Sequence, residues 1–426
     1  MKRYDEYKQT GTPWIGEIPS HWQKCRIKFL INYHADGIWG DEEKGNEDDI
    51  NCYRIADFDY NKMSIKNVIP TVRNISKEQK AGKQILNGDL LLEKSGGGEN
   101  SPVGRVVFAN ISEPAVCSNF IHFLHIENSA TSRFLCYYFN FLYSNKVNLL
   151  FFNQTTGIQN LNLNDYLGQS LYLPSLREQE AIAAYLDKKC GSIDTVISTQ
   201  ERRIALLEEL KQSVITEAVT HGINPDAKLR PSGIDWIGNI PEHWQKCRIK
   251  NFVNLITKPS ISNVKIGLEN IESNSGRFIE TESEFEGNGI QFQQSDIIYG
   301  KLRPYLRKVW EATFSGNAVG DFYVFRCKCN SIPSFLKYIL LSDGFTKITN
   351  SSTFGAKMPR VASDFILSMH YYLPPLSEQE EIVEYIDRKI KPIDASIAKA
   401  KREIELLKEL KQSVITEAVT GKIKVC

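Results

Sequence analysis

One unit occurs twice in this chain, and that repeat constrains the fold more than any other feature. Trp14 to Lys28 reads WIGEIPSHWQKCRIK, and Trp236 to Lys250 reads WIGNIPEHWQKCRIK, so two of fifteen positions differ. Glu209 to Thr220 reads ELKQSVITEAVT, and Glu409 to Thr420 repeats it without change. LPSLREQE from Leu173 pairs with LPPLSEQE from Leu373, TTGIQ at Thr155 with STFGAK at Ser352, and GDLLLEK at Gly88 with SDIIYGK at Ser295. Repetition at this spacing means one architecture built twice. Nearly fixed ends around divergent middles imply a common partner for the ends and different tasks for the middles. The boundaries read as a first globular domain with its N-terminal element at 1–172 and a helical region at 173–221. A linker and second globular domain follow at 222–372, then a second helical region at 373–426.

The fixed segments have helix grammar. Ser175 with Glu178, and Ser377 with Glu380, are spaced as capping boxes. A short helix is expected to about Lys189 or Lys389, broken by Gly191 or Pro392 and restarted at Ser192 or Pro392. Apolar residues then recur at Ile193, Ile197, Ile204, Leu207, Val214 and Ala218, with Gln200 in the remaining seam position. The second copy offers Ile393, Ile397, Ala400, Ile404, Leu407, Val414 and Ala418. Steps of three, four and seven are the coiled-coil period. Gly222 and Gly421 end the helices, each expected to have about 28 residues. The middles, roughly 15–172 and 237–372, carry short strand-like runs at Val103 to Ala109, Phe120 to Ile126, Ile297 to Tyr299 and Phe322 to Cys327. Helical patches fall near Ser132 to Asn148 and Ile332 to Thr346. The fold class is α+β: two globular domains separated and joined by two long antiparallel coiled-coil helices, in a pseudo-twofold internal repeat.

Composition excludes several function classes. The 426 residues carry 52 Lys and Arg against 51 Asp and Glu, a net charge of +1. A large, uniformly basic coat for nucleic acid is therefore not favoured, and any DNA contact must come from local patches. No apolar run approaches the roughly 18 residues of a membrane helix, and the N-terminus has no signal-peptide core. Nine cysteines, an odd number, fit reduced thiols in a cytoplasm.

The residues offer no enzymatic constellation. Gly96-Gly97-Gly98 lacks the lysine of a phosphate loop and reads as a turn. His122 and His125 lie in a strand without a nearby third ligand, so no metal site is expected. Cys327 and Cys329 have no matching pair, and Asn224-Pro225-Asp226 reads as linker. Local basic clusters are more informative. Lys301, Arg303, Arg307 and Lys308 lie beside Tyr305 and Trp310, and Lys357 and Arg360 follow the glycine of the STFGAK loop. The corresponding loops of the first half offer Lys94, Arg105, Gln154, Thr155, Thr156, Gln159 and Asn160. Arg, Lys, Gln and Asn reach base edges, while Ser and Thr suit phosphates. The loops correspond but differ in chemistry, as two readers of different sequences would. Asp41 to Asp49 (DEEKGNEDD) is acidic and is expected to face away from DNA. Trp14, Ile15, Trp22, Trp236, Ile237 and Trp244, with Ile204, Leu207, Ile404 and Leu407, are candidates for helix packing or partner docking.

The doubled WIGxIPxHW element, the doubled LPxLxEQE helix start and long helices behind two divergent domains resemble the specificity subunit of a type I restriction–modification system. The resemblance covers essentially the whole chain. It implies two target-recognition domains, each reading half of a bipartite, asymmetric sequence in double-stranded DNA. It also implies a helix pair that spaces the domains and docks two methyltransferase subunits, with ATP-dependent restriction subunits joining through them. S-adenosylmethionine, ATP and Mg would then be bound by partners, and this chain would be non-catalytic and cytoplasmic, without a membrane partner. The alternative reading is a coiled-coil interaction scaffold that reads no DNA, which would need no divergent pair of loop sets.

Overall fold

The computed structural model describes residues 2–98, 101–127, 130–155, 158–281 and 288–425. The chain forms two compact units, Met1–Gln200 with Arg402–Cys426, and Glu201–Lys401. Each unit thus takes the beginning of one long helix and the end of the other.

The two units are built on the same strand order. In the first, Ile31–Asp36, Ile121–Ile126, Leu90–Glu93 and Val106–Phe108 lie side by side, extended by Ser64–Ile65 and Phe58–Asp59. In the second, Val253–Ile256, Phe322–Cys327, Ile297–Gly300 and Val309–Glu311 repeat that order. The central strands are apolar on both faces: Leu90, Leu91 and Leu92 are all buried, as are Ile297, Ile298 and Tyr299. Helix Ser132–Ser144 covers the first sheet with Phe134, Leu135, Tyr138 and Leu142. In the second unit the expected single helical patch is two helices, Pro333–Leu341 and Asp343–Ser351. Ser342 ends the first and caps the second, accepting the Phe345 amide at 3.4 Å.

The repeated motifs bind one another. Gln23–Arg26 pairs antiparallel with Ser170–Leu173, and Gln245–Arg248 pairs with His370–Leu373 in the same register. The glutamate of LPxLxEQE then takes the indole N–H of the HW tryptophan. Trp22 donates to Glu178 at 3.1 Å, and Trp244 to Glu378 at 3.0 Å. The adjacent glutamines, Gln179 and Gln379, accept the backbone N–H of Thr131 and Ile332 at 3.0 Å, at the starts of Ser132–Ser144 and Pro333–Leu341. These motifs are therefore similar because each is half of an interlocking pair.

The long helices correct two expectations. They run unbroken over Leu176–His221 and Leu376–Val419, 46 and 44 residues, with Gly191 and Pro392 inside them. Pro392 and Arg388 are both exposed, so water can take the carbonyl that proline leaves without an N–H. Ser192 is not a cap; its hydroxyl donates to the Lys188 carbonyl at 2.9 Å. Ser377 also lies inside its helix, so the second capping box does not form, whereas Ser175 accepts the Glu178 amide at 3.4 Å. Two identical lysines lock the helix segments within each unit. Lys411 reaches Asp194 at 2.7 Å in the first, and Lys211 reaches Asp394 at 2.8 Å in the second. In the first unit, residue 194 faces 411 while Trp22, bonded to Glu178, packs near Gly421, so the two helix segments run antiparallel. The helix ends follow the glycine expectation: Gly222 and Gly421 have φ of 75° and 69°.

Gly191 is exposed, helical and has open space where a Cβ would stand. Gly191→Ala is expected to stabilise the chain by about 0.5–1 kcal/mol, because alanine loses less backbone entropy in a helix. Chemical denaturation measures this, and an unchanged or lower midpoint would contradict the helical setting.

Candidate nucleic-acid interface

The loops matched by sequence occupy matching backbone positions. Leu161 N–H donates to the Lys94 carbonyl at 2.9 Å, and Val361 N–H to the Lys301 carbonyl at 3.1 Å. The N–H groups of these lysines also correspond, bonding Phe120 O and Asp321 O, both at 3.0 Å. Lys94 and Lys301 therefore stand at one position of a shared frame. Their surroundings differ.

In the second unit, two loops are stitched into one exposed surface. Arg303 N–H bonds Pro359 O at 2.7 Å, Phe354 and Arg360 exchange backbone bonds at 3.0 Å, and Leu302 bridges to Arg360. Arg303 and Arg307 flank the turn Pro304–Leu306 with φ of 48° and 47°, a left-handed conformation that costs non-glycine residues roughly 1–2 kcal/mol. Strain of this kind collects at functional surfaces and is held by the structure around it. The surface presents Arg303, Lys357 and Arg360 with Tyr305, Phe354 and Met358, all exposed. The Arg360 guanidinium lies 6.0 Å from the Phe354 ring, and Lys301 lies 5.5 Å from that of Tyr323. Cations interleaved with aromatic rings suit phosphates, base edges and base faces together.

Two basic candidates are committed elsewhere. Arg307 bonds Asp343 at 2.7 Å with its side chain 12% exposed. Lys308 donates to the carbonyls of Leu268 and Ile271 at 2.7 and 2.6 Å, and burial lowers its pKa. Both hold the domain together, and nothing local in the sequence separates them from Arg303.

The first unit is more mixed. Ser95–Gly96, Ile158–Leu161 and Phe152–Thr155 form a three-stranded sheet, with Gln154 opposite Gln159. Thr156 lies outside the described residues, and Gln154 and Thr155 are placed by backbone alone. Asn160 accepts the Ser95 hydroxyl at 2.6 Å, and Gln159 is buried. Arg105 is sandwiched between the rings of Tyr60 and Tyr143, at 4.3 and 5.1 Å. Beside it, burial pushes the Glu93 carboxyl up to about 7, against the opposing pull of Arg105. Lys94 is paired with Asp36 at 2.6 Å. Asp49, in the acidic segment, spends its carboxylate on the N–H groups of Lys44, Gly45 and Asn46. His125 is bonded to Asp89, and no cluster of three His, Cys, Asp or Glu suited to a metal occurs among the described residues. Gly96 and Gly97 turn with positive φ, and Asn224 caps the Asp226 amide in the linker.

Of the packing candidates, Ile15, Trp22, Ile237, Trp244 and Ile404 are buried, while Trp14, Trp236, Ile204, Leu207 and Leu407 are half-buried. The outward apolar residues are others. Leu206 and Leu210, repeated as Leu406 and Leu410, stand one helical turn apart and are 47–59% exposed. Their identity in both copies is visible in the sequence, but they lie outside the seam that the steps of three, four and seven define.

The model of the type I restriction modification DNA specificity domain matches residues 19–208 and 241–406, one match for each copy. The chain belongs to this family. It is 23% identical over 279 residues to the type I restriction enzyme EcoDI specificity subunit of Escherichia coli, covering 60% of this chain and 62% of that one. It is 25% identical over 292 residues to the MjaVIII specificity subunit of Methanocaldococcus jannaschii, covering 63% and 66%. The match thus spans just under two thirds of the length of these relatives. A chain solved in work on complex assembly and conformational transition of the type I R-M system has a similar fold. Its TM-score is 0.67 at 15% identity, covering 95% of this specificity-family chain and 99% of that one. Among the described residues no helix is long and apolar enough to cross a membrane.

Proposed function

We propose that the chain is the DNA-reading subunit of a type I restriction–modification complex, each unit reading half of a bipartite duplex target. One observation carries this reading: two loop sets on the same backbone frame present different side chains, one cationic and aromatic, the other mixed. A scaffold blind to DNA has no use for that difference. The chain makes no covalent change itself. Methyltransferase subunits, docking at the outward leucines Leu206, Leu210, Leu406 and Leu410, supply S-adenosylmethionine chemistry. Restriction subunits supply ATP- and Mg-dependent action, and the assembly works in the cytoplasm. The long helices act as the spacer that sets how many base pairs stay unread between half-sites.

The test is binding and methylation of a randomised duplex library by the chain with its methyltransferase. A bipartite preference is expected, and flat methylation across the library would refute the reading. Arg303→Ala and Arg360→Ala should weaken binding through the second half-site only. Loss of a phosphate contact lowers the salt slope by about one unit, and loss of a bidentate base contact costs about 1–3 kcal/mol. Unchanged affinity and salt slope in both variants would make the stitched loops an ordinary solvated surface.

A further inference from the structure

The lysine position shared by the two units differs in its neighbour, and the difference has a chemical meaning. Counting from the lysines, Leu92 and Tyr299 stand two residues earlier and pair with His122 and Tyr323. His122 in turn faces Asp36. In the second unit the neighbouring strand ends at Ile256, opposite Val324, so the residue at the Asp36 position is Thr257, which is exposed. Lys94 therefore has a carboxylate beside it, whereas Lys301 lies 5.5 Å from the Tyr323 ring and the residue at the Asp36 position is a threonine. Among the described residues Lys301 makes no ion pair, whereas the Lys94 ammonium is neutralised at 2.6 Å.

Asp36 is held from two sides without being used up. Its Oδ1 accepts from His122 Nδ1 at 2.7 Å and its Oδ2 from Lys94 Nζ at 2.6 Å, leaving each oxygen a further lone pair. His122 is buried, and His34 Nδ1 lies 2.8 Å from its other ring nitrogen, which fixes the imidazole plane. Burial lowers the His122 pKa, so the ring is a neutral donor toward Asp36. Desolvation opposes ionisation of Asp36, but the bonds from Lys94 and His122 outweigh it and keep the carboxyl below its ordinary range. The Asp36 side chain is nevertheless 46% exposed, on the same edge as Lys94. A bare carboxylate repels phosphate. One neutralised by an adjacent ammonium is a positioned acceptor that duplex DNA can approach.

We infer that Asp36 is a specificity-determining residue, accepting the exocyclic amino group of cytosine (N4) or adenine (N6) in the first half-site. Only those bases offer such a donor in the major groove. At the matching place in the second unit, Lys301 is an uncompensated donor suited to guanine O6 and N7 or to phosphate. Exchange of one residue, Asp36 at the end of its strand against Thr257 just past the end of the other, thus converts a donor–acceptor pair into a donor alone. The inference rests on the DNA-reading function proposed above.

The experiment uses the full chain with its methyltransferase, radiolabelled S-adenosylmethionine and a duplex library randomised one position at a time. In Asp36→Ala, which leaves no acceptor at this position, preference for an amino-bearing base at one position of the first half-site should fall tenfold or more. All other positions, and the whole second half-site, should keep their preferences. An unchanged preference overturns the inference, as does a loss of methylation spread evenly over all duplexes, which marks a purely structural role. Thr257→Asp alters an exposed residue and guards against a folding artefact. It should shift one second-half position toward cytosine or adenine, and an unshifted profile also overturns the inference. If the unaltered complex shows no base preference at all, the DNA-reading function itself fails, which the wild-type profile reveals separately.

Discussion

A fragment of residues 1–221 is expected to fold only as a dimer with a second copy of itself. The first unit draws Val414, Ile415, Ala418 and Val419 from the end of the second long helix into its core, and the fragment lacks them. Burying an aliphatic side chain of this size is worth about 1.5–3 kcal/mol, so three of them approach the whole stability of a typical domain. The fragment nevertheless carries the same residues, because 209–220 and 409–420 are identical. Two fragments can each insert that segment into the other's first unit, and Lys211 of one copy would then meet Asp194 of the other as Lys411 does at 2.7 Å. Such reciprocal exchange is a closed twofold arrangement. Sedimentation at micromolar concentration should find dimer, and Lys211→Glu should dissociate it. With methyltransferase, the dimer should methylate an inverted repeat of the first half-site. A folded monomer at that concentration would defeat the expectation.

The second large effect concerns Glu178. This carboxylate is 6% exposed and accepts from Trp22 Nε1 at 3.1 Å and Tyr4 Oη at 2.5 Å, with His21 Nε2 at 3.1 Å. Glu178→Ala leaves the indole N–H of Trp22, itself 1% exposed, without its acceptor and opens a void beside it. Losing hydrogen bonds to a charged group and leaving a buried donor unsatisfied should cost about 3 kcal/mol or more. Glu178→Gln keeps a carbonyl acceptor for Trp22 and should cost roughly half as much. Because Glu378 serves the second unit in the same way, each alanine variant should destabilise its own unit first. Urea unfolding followed by hydrogen exchange distinguishes the units. Glu178→Ala unfolding with the wild-type midpoint would mean that the motif pairing contributes little.

Much of the fold was legible. The strand at Phe322–Cys327 was placed at its full extent, and Phe120–Ile126 missed its observed start, Ile121, by one residue. Both are apolar runs whose alternation is local. The helices run through Gly191 and Pro392 because the cost of one poor helix residue, about 1 kcal/mol for glycine and about 3 for proline, is outweighed by apolar burial on both sides, at Leu186 and Ile197 and at Ile386 and Ile397. The exposure of the basic candidates was half legible. The repeat aligned Lys94 with Lys301 correctly, yet Arg303 and Arg307, four residues apart, could not be told apart. One is exposed, and the other is bound to Asp343 on a distant helix.

By itself the sequence determined that the chain is one unit built twice, that each copy ends in a long helix with a coiled-coil period, and that the loops between the fixed segments diverge in chemistry. Those facts follow from identity between copies and from periodicity, which adjacent residues encode. Only the tertiary structure decided that each unit is completed by the end of the other helix, and which cations are free. It also decided that a lysine common to both units has a carboxylate beside it in one alone. Pairing and burial depend on what the fold brings within 3 Å from far along the chain. Asp36 and Lys94 meet because two strands distant in sequence flank a third, a neighbourhood no local pattern contains.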